Sequence, residues 1–240
     1  MFLYKKKIVI TGGSGRFGSE LKKIKNKYDL LYPSKSNLNI LNFNNIKKYL
    51  KKEKPKYLIH LAGLSRPMEL HNKNIDKSIN LNIIGTANIT KACWELGIKL
   101  IYFSTCYLYP GTKGNYKETD PLLPSNKYAW SKLGGESAVQ MYNNSLILRV
   151  CMTEKPFVHK KAFYDFITNF IFHDEIAKFL FKLINKRGII NVGGKKQTVY
   201  SFVKKYNPNI KKISAKKIFG KKYPLNPSMN INKLKKLLND

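Results

Sequence analysis

KKKIVITGGSGRFGSEL, residues 5–21, joins a β-branched run to spaced glycines and then to an amphipathic segment. A short β-branched run that ends in glycine reads as a buried strand and a tight turn. Phe17, Leu21 and Ile24 recur at helical spacing, so a helix opens where the glycines stop. Gly12 permits the turn, Gly15 lets the backbone approach a pyrophosphate, and Gly18 lets the helix lie close to the sheet. The start of such a helix offers unpaired N–H groups and a partial positive charge to phosphate. An isolated motif of this kind can be a plain turn; strand, glycines and helix in this order favour a dinucleotide.

The same alternation continues downstream. YDLLYPS (28–34) predicts a second strand, stopped by Pro33, and NFNNIKKYLKKEK (42–54) a helix capped at Asn42 or Asn44 with Phe43, Ile46, Tyr49 and Leu50 inward. PKYLIHLAG (55–63) predicts a third strand, and a long helix follows from about Asn74 to Leu96, ended by Gly97. IKLIYFST (98–105), NSLILRVCM (144–152) and GIINVGG (188–194) predict three more strands. Strands alternating with helices make the fold class α/β: a Rossmann-like, doubly wound parallel sheet. After Cys151 the rhythm changes, with a helix expected from about Asp174, its cap, to Asn185. The expected division is a dinucleotide-binding domain at 1–150 and a small substrate lobe at 151–240, whose strand near 188–194 returns to the sheet. Loops after the strands then share one edge, where ligands of this architecture bind.

Composition narrows the function. The 240 residues are 43% hydrophobic and 12% aromatic, which suits a folded protein. No apolar run approaches the roughly 20 residues of a membrane span. The N-terminal segment lacks the order of a signal peptide, so the expected location is cytoplasmic. Cys93, Cys106 and Cys151 form no metal or disulfide spacing, and no metal is expected. The net charge of +31 comes almost wholly from scattered Lys, with arginine only at 16, 66, 149 and 187. Base readout favours the Arg fork, so no specific nucleic-acid partner is expected, although a positive surface attracts polyanionic substrates.

SNKYAWSKLGGE, residues 125–136, holds the candidate chemistry. Tyr128 and Lys132 stand four apart on one helix face, after a helix start at Pro124 and Ser125. A phenol titrates near 10, too high for a base at neutral pH, and a neighbouring ammonium lowers it. A reductase needs such a group to protonate a carbonyl oxygen as hydride arrives. The spacing alone is common; the glycine loop and YFSTCYLYPG (102–111) beside it make it specific.

The G-x-x-G-x-x-G spacing after Thr11, with Thr105, Tyr128 and Lys132 in order, resembles the extended short-chain dehydrogenase/reductase superfamily acting on nucleotide sugars. NYKETDPLLPSNKYAWSKLGGE (115–136) is especially similar to dTDP-4-dehydrorhamnose reductases. NLNIIGTANITKAC, HLAG, LILRV, FHDEIAKFL and INVGG extend the likeness over nearly all of residues 5 to 195. The resemblance implies an NAD(P)-dependent oxidoreductase of carbohydrate biosynthesis that reduces a keto group on a nucleotide-activated sugar. It implies that Thr105 polarises the carbonyl, Tyr128 acts as acid, and Lys132 tunes Tyr128 and holds the nicotinamide ribose. Cofactor contacts are implied at Thr11, Gly12, Ser14, Gly15, Arg16, Phe17, Gly18, Leu61, Ala62, Gly63 and Asn82. No acid stands at the end of the second strand; Arg16 and Lys35 suit a 2′-phosphate, which favours NADP over NAD, and Asn39 stands near the adenine position. A homodimer through the two long helices is implied as well.

Departures narrow the substrate. Dehydratases of the family place Asp-Glu after the Thr, where this chain has Cys106 and Tyr107, which argues against 4,6-dehydration. Rhamnose-type reductases commonly have Asp at the position of Cys106; here a small buried side chain is the reading preferred over a catalytic one. His159, Lys160 and Lys161 meet a diphosphate or sit on a solvated loop, and Arg66 reaches substrate or stays on the surface. His60, His71 and His173 read as ordinary polar residues, and Phe163, Tyr164, Phe166, Phe170 and Phe172 as core. A nucleotide-sugar epimerase with retained NAD and a non-catalytic dinucleotide-binding protein are the alternatives.

Overall fold

The computed structural model describes residues 5–239. Six parallel strands form its centre: β1 (Lys7–Thr11), β2 (Asp29–Leu31), β3 (Tyr57–His60), β4 (Lys99–Thr105), β5 (Ser145–Val150) and, far along the chain, Gly188–Val192. In space the order from the last of these is Gly188–Val192, β5, β4, β3, β1, β2. The six runs predicted as strands of the sheet are these six strands. Strands β3, β4 and β5 are buried along their whole length, as expected of a sheet covered on both faces.

Helices α1 (Arg16–Lys22) and α2 (Phe43–Glu53) link the first strands. As the spacing predicts, Phe17 and Leu21 are buried, with Ile24 packed beside them. Asn42 caps α2 by accepting from the Asn45 amide. The first turn depends on Gly12, at φ +69, where a Cβ would stand 2.6 Å from the Ala62 nitrogen.

A short helix α3 (Leu70–Lys73) precedes the long one predicted from residue 74. That long helix starts at Asn74, whose side chain accepts from the Lys77 amide, but it is not uniform. An α-helical stretch, α4 (Ile75–Ile79), widens to a π-turn over Asn80–Ile84 and returns to α-helix as α5 (Gly85–Glu95). The bulged turn turns Asn82 inward, and such bulges are frequent at functional sites. Helix α6 (Lys127–Gln140) lies against it; a Cβ on Gly135 would be 2.3 Å from the Asn82 carbonyl, so only glycine admits the contact. The cap of α6 is Asn126, accepting from the Ala129 amide at 2.9 Å, one residue after the predicted Ser125.

Beyond β5 the chain makes β6 (Met152–Thr153), β7 (Lys161–Phe163), β8 (Ile167–Thr168) and β9 (Ile171–Phe172), then α7 (His173–Leu183) and β10 (Gly188–Val192). It ends in β11 (Gln197–Thr198), α8 (Val199–Lys204), β12 (Lys211–Ile213), α9 (Ala215–Phe219) and α10 (Asn232–Asn239). Helix α7 and β10 pack on the sheet's core, so the segment after residue 151 is divided between sheet and lobe. The lobe has its own apolar cluster around Phe166, Phe172, Phe202 and Ile210. Tyr164 does not join it and stands exposed, a correction to its reading as core. Asp174 does not cap α7 either: it lies inside the first turn, and the Glu175 carboxylate accepts the Phe172 amide at 2.9 Å instead.

Beneath α6 runs a buried polar chain. Glu136 accepts from Arg149 at 2.7 and 3.1 Å, with both side chains almost wholly buried. Arg149 also donates to the Tyr109 hydroxyl (2.8 Å) and the Glu118 carbonyl (3.0 Å), and Tyr109 donates to Asn191 (2.8 Å). Asn191 in turn donates to the carbonyls of Tyr116 and Asn230. The chain thus ties α6 to β5, β10 and the C-terminal segment. Arg149→Leu leaves the Glu136 charge buried and unpaired, a loss of about 3–5 kcal/mol. Urea unfolding should show this loss; a variant as stable as wild type would refute the role.

Candidate active site

The carboxyl ends of β1, β3, β4 and β5, with the lobe above them, enclose a cleft of about 1620 Å³. Gly12, Ser14, Gly15, Arg16, Phe17 and Gly18 line it at one end, and Leu61, Ala62 and Gly63 continue the wall. Asn82, Thr105, Tyr128 and Lys132 stand across from the glycine loop. Three strand ends and two helices therefore bring together residues scattered over 120 positions, roughly, because every βα loop of a parallel sheet opens on the same edge.

Thr105 ends β4, and its side chain accepts the Tyr107 amide. Burial pushes the Tyr128 phenol up to about 12, and neighbouring Cys106 adds to this; the Thr105 hydrogen bond and the Arg66 and Arg16 charges pull it down by less. Lys132 is itself driven down to about 7 by desolvation, opposed by Glu136, and its Nζ lies 4.1 Å over the Tyr102 ring. An amine that is only partly charged at neutral pH stabilises a phenolate less than loss of water destabilises it. The phenol thus stays protonated at neutral pH, the state an acid requires.

The supporting residues explain the geometry. Asn82 donates to the Ser131 hydroxyl (2.8 Å) and the Leu64 carbonyl (2.9 Å), and accepts the Leu64 amide (2.7 Å). It fastens the loop after β3 to α6. His60 bridges Thr11 and Thr86 at 2.8 and 3.1 Å, and burial lowers its pKa to about 3, so it is neutral. His71 packs edge-on to Tyr128 with 5.1 Å between ring centroids, and its Nδ1 meets the Ser78 hydroxyl at 2.7 Å.

The family described as RmlD substrate binding domain matches residues 6–170. The chain belongs to this family. A dTDP-4-dehydrorhamnose reductase from Aggregatibacter actinomycetemcomitans is 26% identical to this RmlD-family chain over 191 residues, 78% of it and 60% of that protein. Methionine adenosyltransferase 2 subunit beta of Xenopus tropicalis is 31% identical over 156 residues, 60% of this chain and 46% of that protein. The chain thus spans about half the length of the latter relatives. Among solved structures, a dTDP-4-dehydrorhamnose reductase from Bacillus anthracis in complex with NADP matches with a TM-score of 0.85 and 25% identity, covering 98% of this chain and 92% of that one.

Within the RmlD-family cleft, three predicted cofactor residues lie elsewhere. Thr11 is buried against His60 and receives the Ala62 amide, so its side chain braces the turn. Lys35 is exposed and off the cleft wall. Asn39 accepts the Leu41 amide within its own loop, and its amide donates to Asn45. His159, Lys160 and Lys161 line the rim beside Phe163, Phe166 and Phe170. Sequence reasoning missed Glu154, which holds Arg16 at 2.7 Å and Arg66 at 2.8 Å across the mouth, because no periodicity marks that loop. It also missed Glu136, although its position eight residues after Tyr128 carries the same helical face.

Lys132 yields a stability signature. With its pKa lowered from 10.5 to about 7, the unfolded chain binds this proton more tightly than the folded one between those values. Stability therefore rises with pH across that window and levels off above it. Lys132→Met removes the slope. Denaturant titrations at about pH 7 and about pH 9 should show wild type gaining stability relative to the variant; parallel behaviour contradicts the assignment.

Proposed function

We propose that the chain is an NAD(P)-dependent oxidoreductase that reduces a keto group on a nucleotide-activated sugar. The observation that carries this reading is the single cleft shared by the glycine loop, Thr105, Tyr128 and Lys132. At about 1620 Å³ it exceeds the ~300–1,000 Å³ typical of drug-sized ligands, room for a dinucleotide and a substrate together. Gly18 lets α1 pack against the turn, since a Cβ there would stand 2.7 Å from Gly13, and the loop so formed faces the cleft as a dinucleotide site requires.

In this reading Ser14, Gly15, Arg16, Phe17 and Gly18 hold the pyrophosphate, and Leu61, Ala62, Gly63 and Asn82 flank the rest of the dinucleotide. Lys132 binds the nicotinamide ribose. With no acid after β2 and Lys35 off the cleft wall, Arg16 is the group for a 2′-phosphate, and NADP(H) is favoured over NAD(H). A reduced nicotinamide, when bound, supplies hydride. Thr105 orients the carbonyl by donating from its hydroxyl, and Tyr128 releases its proton to the same oxygen. His159, Lys160 and Lys161 at the rim suit a nucleotide diphosphate. The relative from Bacillus anthracis named for dTDP-4-dehydrorhamnose reduction, in complex with NADP, supports both cofactor and substrate class.

No helix among the described residues is long and apolar enough to cross a membrane, which accords with a cytoplasmic location. A homodimer through α4–α5 and α6 is supported by the exposed Ile79, Ile84 and Trp130. A second reading, a dinucleotide-holding subunit without turnover, is favoured by the relatives named methionine adenosyltransferase 2 subunit beta.

Tyr128→Phe should lower turnover of NADPH with a nucleotide keto-sugar by roughly 10²–10⁴-fold, while NADPH binding by fluorescence is retained. Wild-type rates in the variant overturn the acid assignment; firm NADPH binding with no turnover of any keto-sugar by wild type supports the second reading. Glu154→Gln frees Arg16 and Arg66 from their carboxylate and should tighten NADPH by about three- to tenfold, near 1 kcal/mol. Unchanged affinity excludes Glu154 as a competitor for phosphate.

A further inference from the structure

Cys106 and Cys151 form a pair that the proposed reaction does not use. Thr105 on β4 stands in register with Val150 on β5, so the next residue of each strand, Cys106 and Cys151, lie side by side at the carboxyl edge of the sheet. Neighbouring parallel strands run about 4.8 Å apart, inside the 4.4–6.8 Å Cα range of a disulfide, roughly. The two side chains share a packed cluster with Tyr109, Tyr116 and Met229, and each thiol perturbs the titration of the other. Each is 2% exposed, yet both form part of the cleft wall, which limits access to small reagents entering the cleft. The remaining thiol, Cys93, lies in the core on the α5 side of the sheet.

The pair is asymmetric. Cys151 Sγ is 2.8 Å from the Thr168 hydroxyl. Burial raises its pKa, but hydrogen bonds from Cys106, Thr168 and the Asn169 amide outweigh this and bring it below the ordinary thiol value. Cys106 is pushed the other way, by its bond to Cys151 and by burial. The Thr168 hydroxyl, 2.8 Å from Cys151 Sγ, can donate to a thiolate there, which makes Cys151 the nucleophile and Cys106 the resolving partner.

We propose that Cys106 and Cys151 are a dithiol that a small hydroperoxide oxidises to an intramolecular disulfide in the wall of the cleft. The Cys151 sulfur attacks one peroxide oxygen, an S–O bond forms, the O–O bond breaks, and the departing oxygen leaves as water after taking a proton. The Cys106 sulfur then attacks the Cys151 sulfenic acid; the S–S bond forms, the S–O bond breaks, and hydroxide leaves with the Cys106 proton as a second water. Two thiols lose two electrons and hydrogen peroxide becomes two waters. Because Cys106 directly follows Thr105 and raises the Tyr128 pKa, the bond alters the wall at the reacting groups.

The test is to treat the full chain with hydrogen peroxide, count thiols after denaturation, and map peptides by mass spectrometry. The expected result is a fall from three titratable thiols to one, a Cys106–Cys151 cross-linked peptide, and return to three with dithiothreitol. Cys106→Ser should stop at a sulfenic acid on Cys151 that dimedone captures, and Cys151→Ser should keep its two thiols under the same treatment. Three thiols surviving in wild type, a cross-link through Cys93, or loss of thiols in Cys151→Ser at the wild-type rate overturns the proposal. None of these readouts requires turnover, so they stand apart from the reductase assignment.

Discussion

The buried pair of Arg149 and Glu136 is the constraint on which the site depends. Helix α6 carries Tyr128, Lys132 and Glu136 on one face, and the last of these is pinned to β5 by two hydrogen bonds from one guanidinium. A charge pair this deep is a poor source of stability compared with apolar packing of equal size. Its value lies in direction: the Arg fork admits one orientation of the carboxylate, and hence one rotation of α6 about its axis. Continuation through Tyr109 and Asn191 gives that rotation a frame built from β10 and the C-terminal segment.

The same helix is held from its other side by close approach. Gly135 lets α6 touch the carbonyl of Asn82, and Asn82 reaches from the π-turn to Ser131 and Leu64. Together the two clamps bring a phenol and an amine to a place that favours neither charge. Burial leaves Tyr128 protonated and Lys132 poised near neutrality. Proton donation needs a phenol that holds its proton until a better acceptor forms, and desolvation supplies that condition without an ion pair between the two residues.

Much of this was legible in residues whose pattern is local. The six strands announced themselves through short apolar runs bounded by turn residues, and the glycine loop through its spacing, because strand burial and tight turns depend on adjacent residues. Tyr128, Lys132 and Thr105 were legible through order and helical spacing. What could not be read was set by contacts between distant segments. The Glu154 carboxylate meets Arg16 across 138 positions of chain, and Lys132 finds Tyr102, rather than a phenolate, under its ammonium. Thr11 and Asn39 occupied suitable sequence positions, yet their side chains are engaged by His60 and by the loop after β2, and Lys35 stands exposed off the cleft wall.

The widened turn at Asn80–Ile84 stores a residue that the α-helix on either side of it does not need. It accommodates one residue more than a regular turn needs, and each residue of an α-helix rotates the axis by about 100°. The wider coil absorbs that rotation, so losing the extra residue would leave α4 facing α6 much as it does now while removing the bulge that turns Asn82 inward. The helix can thus lose a position here and keep its facing, and what it forfeits is the one side chain that joins the loop after β3 to α6.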